Sequence, residues 1–202
     1  METEADNILT ASQEDCGFEK LLKFKKGKFY VQDDEVPLGT EYVAHTNQWT
    51  YCWIKFIDDK VADRRMFKVA EGIAPPERDE LDDNDPSNWK IGVDGKPKDP
   101  WSLQYLLPLE NLENGDVVIF TTPSVGGKMG VAEPCRAWAR RAKKGSRALP
   151  IVKLSTTDMQ TKKFGAVPRP LFEITDWDET PASGVEVIPP STADEVDDEI
   201  PF

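Results

Sequence analysis

The nine residues Asp194–Phe202 combine two kinds of binding group. Five acidic side chains crowd together, and Ile200, Pro201 and a terminal Phe202 with a free carboxylate follow them. A solvated acidic tail gains nothing from a bulky aromatic tip. A partner with a small apolar pocket and nearby basic residues would hold this tip, and Pro201 limits the backbone freedom lost on docking. The pattern predicts a protein-interaction motif, and the alternative is a solubilising tail that ends on Phe.

The order of residues at this tip, Asp-Asp-Glu-Ile-Pro-Phe, closely resembles the tail tip of bacterial single-stranded DNA-binding proteins. In that family the tip recruits replication and repair enzymes. The resemblance covers the last nine residues and implies a partner-binding role for Asp197, Asp198, Glu199, Ile200, Pro201 and Phe202. The strands of the body do not clearly match the common bacterial family, so a divergent, phage-type member is expected.

Basic and acidic residues are segregated along the chain, although the net charge is −12. The segment from Trp177 to Phe202 has eight acids and no Lys or Arg, whereas Arg136 to Arg169 holds ten cations and one acid. The distribution of charge says more about partners than the sum does. The block from Arg136 to Arg169 is expected to contact DNA phosphates, with the acidic tail competing for the same groove.

Lysine and arginine side chains in several segments are candidates for phosphate contacts. Binding through them is expected to weaken with salt, because each contact releases counterions from the nucleic acid. The candidates are Lys23, Lys25, Arg64, Arg65, Arg140, Arg141, Lys143, Lys144, Lys162 and Lys163.

Aromatic side chains are candidates for stacking on bases, where each stack contributes about 1–3 kcal/mol with little sequence preference. The candidates are Tyr30, Trp49, Tyr51, Trp53 and Phe164. For Tyr51 and Trp53, packing in the core is as good an interpretation as stacking. Trp49 and Phe164 lie in polar, loop-like surroundings, which favours stacking.

The chain has no pattern that indicates catalysis or a cofactor. His45 is the only histidine and has no recognisable Ser or Cys partner motif. The acids of Asp82–Asp85 do not match an EF-hand loop, although carboxylates from distant segments could still assemble, as they do in nucleases. The three cysteines are far apart, and no apolar run is long enough to cross a bilayer. We expect a reduced, cytoplasmic, non-enzymatic protein without cofactor, metal or membrane attachment, located in the bacterial host if the gene is phage-encoded.

The elements that must position these residues are mainly strands. Eight or nine short strands and one late helix, predicted from about Val131 to Lys144 after a Gly-rich loop at 124–130, favour a small β-barrel. With the tail resemblance, an OB-fold-like barrel is the natural choice. The predicted organisation is a flexible arm at 1–16, a DNA-binding domain at 17–177 with an irregular acidic insertion at 74–100, and a disordered acidic tail at 178–202.

The resulting prediction is a protein that binds single-stranded DNA without strong sequence preference during replication, recombination or repair, and recruits partner enzymes through its tip. Two other classes stay open. One is a replication-associated adaptor that does not itself bind DNA, and the other is an acidic DNA mimic that inhibits a DNA-binding protein. The sequence leaves the oligomeric state open, self-association included.

Overall fold

The computed structural model describes residues 20–58, 60–72, 74–92, 95–162 and 164–179. The predicted arm at 1–16, Lys163, and the predicted tail from residue 180 onward, with its tip Asp197–Phe202, lie outside the described residues. The described part contains ten strands and one α-helix. Strands β1 to β10 are Leu21–Lys25, Lys28–Val31, Asp34–Val36, Glu41–Ala44, Thr50–Ile57, Lys60–Lys68, Trp101–Asn111, Val117–Thr122, Leu149–Thr161 and Gly165–Asp178, and helix α1 is Val125–Ala142.

All ten strands belong to one curled sheet. Its main path runs β10-β9-β4-β7-β8-β1-β2-β3, and β5 joins it by pairing with β7 and with β6. Strands β1 and β8 are parallel, and the other pairs are antiparallel. The sheet forms a half-barrel, which confirms the expectation of a mainly β, OB-like fold with a single helix.

Alternating side chains place a separate apolar cluster on each face of the sheet. Leu107 and Phe120 belong to the main core, whereas their neighbours Leu106 and Ile119 belong to a second cluster on the opposite face. The curl brings distant strands together, so that the centre of the Phe172 ring of β10 lies 5.0 Å from that of the Phe120 ring of β8. Val131 and Cys135 of the helix pack against the main core, and burial of these apolar side chains stabilises the curled sheet.

Helix α1 begins earlier than the sequence pattern predicted. Ser124 caps it by accepting a hydrogen bond from the Gly127 N–H, so the Gly-rich stretch forms the first turns of the helix instead of a loop. The glycines are needed for close packing: a Cβ on Gly130 would lie 2.8 Å from the Pro170 carbonyl oxygen. Pro134, expected in the first turn, lies inside the helix.

The segment predicted as a polar connection between the last two strands is part of a long hairpin. Strands β9 and β10 pair continuously from Thr161 opposite Gly165 down to Leu149 opposite Asp178, with one bulge near Ile174. The β-branched Thr side chains of this stretch favour extended backbone even without an apolar pattern. The hairpin therefore extends past the residues of β9 that pair with β4, and it carries Lys162 and Phe164 at its tip.

In its described residues the insertion between β6 and β7 has no strand beyond one isolated bridge between Ile91 and Pro97, and hydrogen bonds attach it to the sheet. It contains two short 3₁₀ turns, Arg78–Glu80 and Pro86–Asn88. The Arg78 guanidinium makes paired hydrogen bonds to Asp99 at 2.7 to 2.9 Å, and the Trp101 indole donates to Asp82 at 2.9 Å. The acids predicted to form a solvated loop thus act as hydrogen-bond partners that hold the insertion against β5 and β7.

Within the described ranges, no helix is both long and apolar enough to span a membrane.

Candidate nucleic-acid interface

Three aromatic side chains meet where β5 and β7 pair. Trp49 ends the turn before β5, and Tyr51 of β5 stands opposite Tyr105 of β7. The ring centroids lie 5.2 Å apart for Trp49–Tyr51, 5.6 Å for Trp49–Tyr105 and 4.8 Å for Tyr51–Tyr105. All three side chains are half-buried, so each ring keeps part of its surface in solvent. We call these three residues the aromatic cluster.

Lys128, the fourth residue of α1, lies over the Tyr105 ring of the aromatic cluster. Its ammonium nitrogen is 5.1 Å from the Tyr105 ring centroid, and no carboxylate among the described residues pairs with it. Burial lowers the pKa of Lys128 below its ordinary value, because the charged form is partly removed from water. A half-buried cation without an acidic partner favours an anion such as a phosphate beside it.

Burial also affects the tyrosine at the centre of the cluster. It raises the pKa of the Tyr51 hydroxyl, so the ring is neutral at physiological pH and does not repel a phosphate. Sequence reasoning found Trp49 and Tyr51 but missed Tyr105 and Lys128. One feature of the sequence could have pointed to Lys128: it is a lysine in the Gly-rich stretch at the start of the helix, where a cation is unfavourable for the helix dipole.

A second group of predicted residues lies on the β1–β2 hairpin. The register pairs Lys23 with Tyr30 and Lys25 with Lys28, so these four side chains share one face, while Phe24 and Phe29 pack on the other. Lys26 and Gly27 have φ values of 50° and 84°, which a two-residue hairpin turn requires. The face carries more cations than acids, although Lys28 pairs with Glu35 at 2.7 Å.

The β9–β10 hairpin passes next to the turn between β1 and β2. A Cβ on Gly27 would lie 3.7 Å from the Pro168 Cβ, so the β1–β2 turn sits next to β10 close to its tip. The tip carries Lys162 and Phe164, whose side chain is 71% exposed. We call Lys23, Lys25, Lys26, Lys162 and Phe164 the hairpin surface.

The first turn of α1 connects the hairpin surface with the aromatic cluster. Gly126 packs against Arg169 and Met159 of the long hairpin, and Lys128, two residues later, lies over Tyr105. The start of α1 therefore contacts the long hairpin on one side and the aromatic cluster on the other.

The basic block predicted from the sequence does not form one surface. Arg140, Lys143 and Lys144 lie at the far end of α1, where Arg141 stacks on Trp177 at 4.2 Å and pairs with Glu179 at 3.2 Å. Arg169, another cation of the block, lies beside the beginning of this helix. The 18 residues of α1 place its two ends about 27 Å apart, so Arg169 is distant from Arg140.

Two further cations of the block are paired with acids. Arg169 pairs with Glu133 at 2.9 Å, and Lys153 pairs with Glu173 at 3.2 Å. Cations at the end of a helix also stabilise its dipole, which gives Arg140 and Lys143 a structural role.

The remaining predicted residues lie apart from these surfaces. Trp53 is only 8% exposed and donates its indole N–H to the Pro76 carbonyl at 2.9 Å. Of the two interpretations given above for Trp53, stacking on bases or packing in the core, this geometry favours packing. Arg64 and Arg65 are neighbours in β6 and so point to opposite faces of the sheet. Arg65 pairs with Asp63 and stacks over Trp101 at 4.9 Å, within the structure that holds the insertion.

Comparison with known proteins gave no relative: no family model, curated protein or solved structure matches this chain. The geometry of the surface itself is informative. Three partly exposed rings lie together, and over one of them, Tyr105, lies an ammonium group that has no carboxylate partner among the described residues.

Proposed function

We propose that this protein binds single-stranded DNA with the aromatic cluster, Lys128 and the hairpin surface. The observation that carries the proposal is the position of Lys128, a half-buried cation that lies over the Tyr105 ring and pairs with no acid among the described residues. A base stacks on the cluster while a neighbouring phosphate contacts the ammonium group. The strand then continues past the start of α1 toward Lys25 and Lys162. Stacking is available only to unpaired bases, so single strands are preferred over duplex.

The acidic tip supports a second half of the proposal, recruitment of replication, recombination or repair enzymes. The motif Asp197–Phe202 matches the tip of single-stranded DNA-binding proteins in residue order and carries both charge and an apolar end. Phe202→Ala is expected to abolish capture of such an enzyme and to leave DNA affinity unchanged, because it removes no charge. Deleting Asp194–Phe202 is expected to raise DNA affinity at low salt, where screening is weak.

A fluorescence-anisotropy titration with labelled oligothymidine and with a duplex of the same length tests the DNA half. We expect binding of the single strand, with an affinity that falls as salt rises. Tyr105→Ala is expected to weaken it by about 1–3 kcal/mol, the value of one base–aromatic stack, while the thermal melt stays cooperative.

The same titration decides between the two cationic surfaces. Replacing Lys25, Lys26 and Lys162 by Ala should flatten the salt dependence, whereas replacing Arg140, Lys143 and Lys144 removes the same number of charges at the far end of α1 and serves as the matched control. A larger effect from the control set would place DNA on the other surface. No binding of either oligonucleotide, with the tip still capturing an enzyme, would identify an adaptor instead.

A further inference from the structure

The turn that leads into the aromatic cluster is unusually rich in polar atoms without partners. His45, Thr46, Asn47, Gln48 and Trp49 each have a buried side-chain nitrogen or oxygen atom that makes no hydrogen bond. Native proteins satisfy nearly all such atoms, with protein groups, water or ligands. Five in succession mark a turn, next to the aromatic cluster, whose buried polar atoms the described residues leave without hydrogen-bond partners.

The two amides of this turn are oriented alike. The side-chain oxygens of Asn47 and Gln48 are the buried atoms. Both side chains are partly exposed as a whole, and their amide nitrogens are neither buried nor hydrogen-bonded to any described residue. The N–H₂ groups are therefore less buried than the oxygens, and among the described residues they are unused hydrogen-bond donors.

The donors stand directly before a stacking ring. Asn47 and Gln48 belong to the 3₁₀ turn Thr46–Gln48, and Trp49 follows as its C-terminal residue. The turn is fixed in place, because His45 is buried and its Nε2 lies 3.0 Å from the Glu110 carboxylate. Trp49 in turn contacts Tyr51 and Tyr105. The two amides and the stacking ring are therefore consecutive in the chain and belong to one fixed turn.

From this placement we infer that Asn47 and Gln48 read the edge of the stacked base and favour bases with ring carbonyl oxygens, thymine first. The inference rests on the proposed single-stranded DNA binding and goes beyond it, because stacking and phosphate contacts alone give little sequence preference. Amide donors bonding to carbonyl acceptors on a base edge are a general means of reading single strands.

The test compares oligothymidine with the same oligonucleotide in which thymines are replaced by difluorotoluene, a ring of the same shape with no comparable acceptors. Both are titrated against the full chain. We expect the protein to bind oligothymidine about fivefold more tightly, the worth of one net hydrogen bond. The doubly substituted Asn47→Ala, Gln48→Ala protein should bind both probes equally, with the same salt dependence as the unchanged chain.

Gln48→Glu keeps the shape of the side chain and replaces the donor by an acceptor, so it should also lose the discrimination, even if the alanine variant fails to fold. Asn88→Ala, an exposed amide in the insertion, is the matched control and should keep it.

Three results would overturn the inference. Equal binding of both probes by the unchanged chain would remove it and leave the proposed function standing. An equal loss of affinity for both probes in the variants would show that the amides only support the turn. Absence of binding to either probe would remove the proposed function itself.

Discussion

Replacing Lys128 by Gln tests the part of the site that sequence reasoning missed. The substitution keeps most of the length of the side chain and removes its charge. Lys128 contacts the Tyr105 ring and pairs with no described acid, so the change breaks no ion pair that supports the fold. Because burial lowers the pKa of Lys128, the charged form is disfavoured in the unliganded protein, and removing it should keep or slightly raise thermal stability.

The expected loss of DNA affinity follows from the position of the ammonium group. A hydrogen bond from a charged donor is worth about 1.5–3 kcal/mol, and the partial exposure of Lys128 places it near the lower end. A loss of about 1.5 kcal/mol corresponds to roughly a tenfold rise in Kd. One phosphate contact fewer should also reduce the slope of log affinity against log salt by about 0.7 for a single strand.

The assay is an anisotropy titration of labelled oligothymidine at several salt concentrations, with melting curves recorded for each variant. Lys60→Gln is the matched control, since it removes the same charge from an exposed position at the start of β6. An unchanged Kd and salt slope for Lys128→Gln, in a folded protein, would refute the assignment of a phosphate contact. An equal effect of Lys60→Gln would show that only the overall charge matters.

Three further predictions concern the packing and the charge state of the site. Trp53→Ala should destabilise the protein by about 3–5 kcal/mol in denaturant unfolding and leave the salt slope of DNA binding unchanged, because Trp53 is buried under the insertion; a change of slope in a stable variant would place it in the interface. Gly127→Ala should destabilise by about 1–3 kcal/mol, because the new Cβ would lie 2.6 Å from the Thr122 Cβ; a gain in stability from better helix propensity would contradict this packing. Since burial lowers its pKa, Lys128 should lose its proton at a lower pH than an ordinary lysine, so DNA affinity should begin to fall at a lower pH for the unchanged chain than for Lys128→Gln; parallel pH profiles would exclude this role.

Much of the fold could be predicted from the sequence, because local patterns determine it. In an extended Thr50–Ile57 segment, alternation places Tyr51 and Trp53 on one face and Cys52 and Ile54 on the other, and the register of β5 shows this arrangement. Short strands with turn residues between them predicted a mainly β protein with a single helix. The acidic, proline-broken stretch at 74–100 was recognised as lacking strands, since its composition does not support a sheet.

The helix start and the long hairpin could not be predicted, because they depend on contacts between distant segments. Glycines disfavour a helix in isolation, and only the approach of Thr122 and Pro170 explains why they open α1. Thr156 and its neighbours have no apolar alternation, and pairing with β10 along their length makes them a strand.

The candidate site was decided by tertiary structure almost entirely. The sequence supplied the types of residue, rings for stacking and cations for phosphates, but it grouped the cations by their positions in the chain. The fold separates the ends of that basic block along α1 and instead brings Lys128 to Tyr105 and Tyr51. Tyr51 and Trp53 share one face of β5, yet only Trp53 is covered, because the insertion packs at its end of the strand. Side-chain chemistry is fixed by the sequence, whereas exposure and proximity are properties of the packed chain.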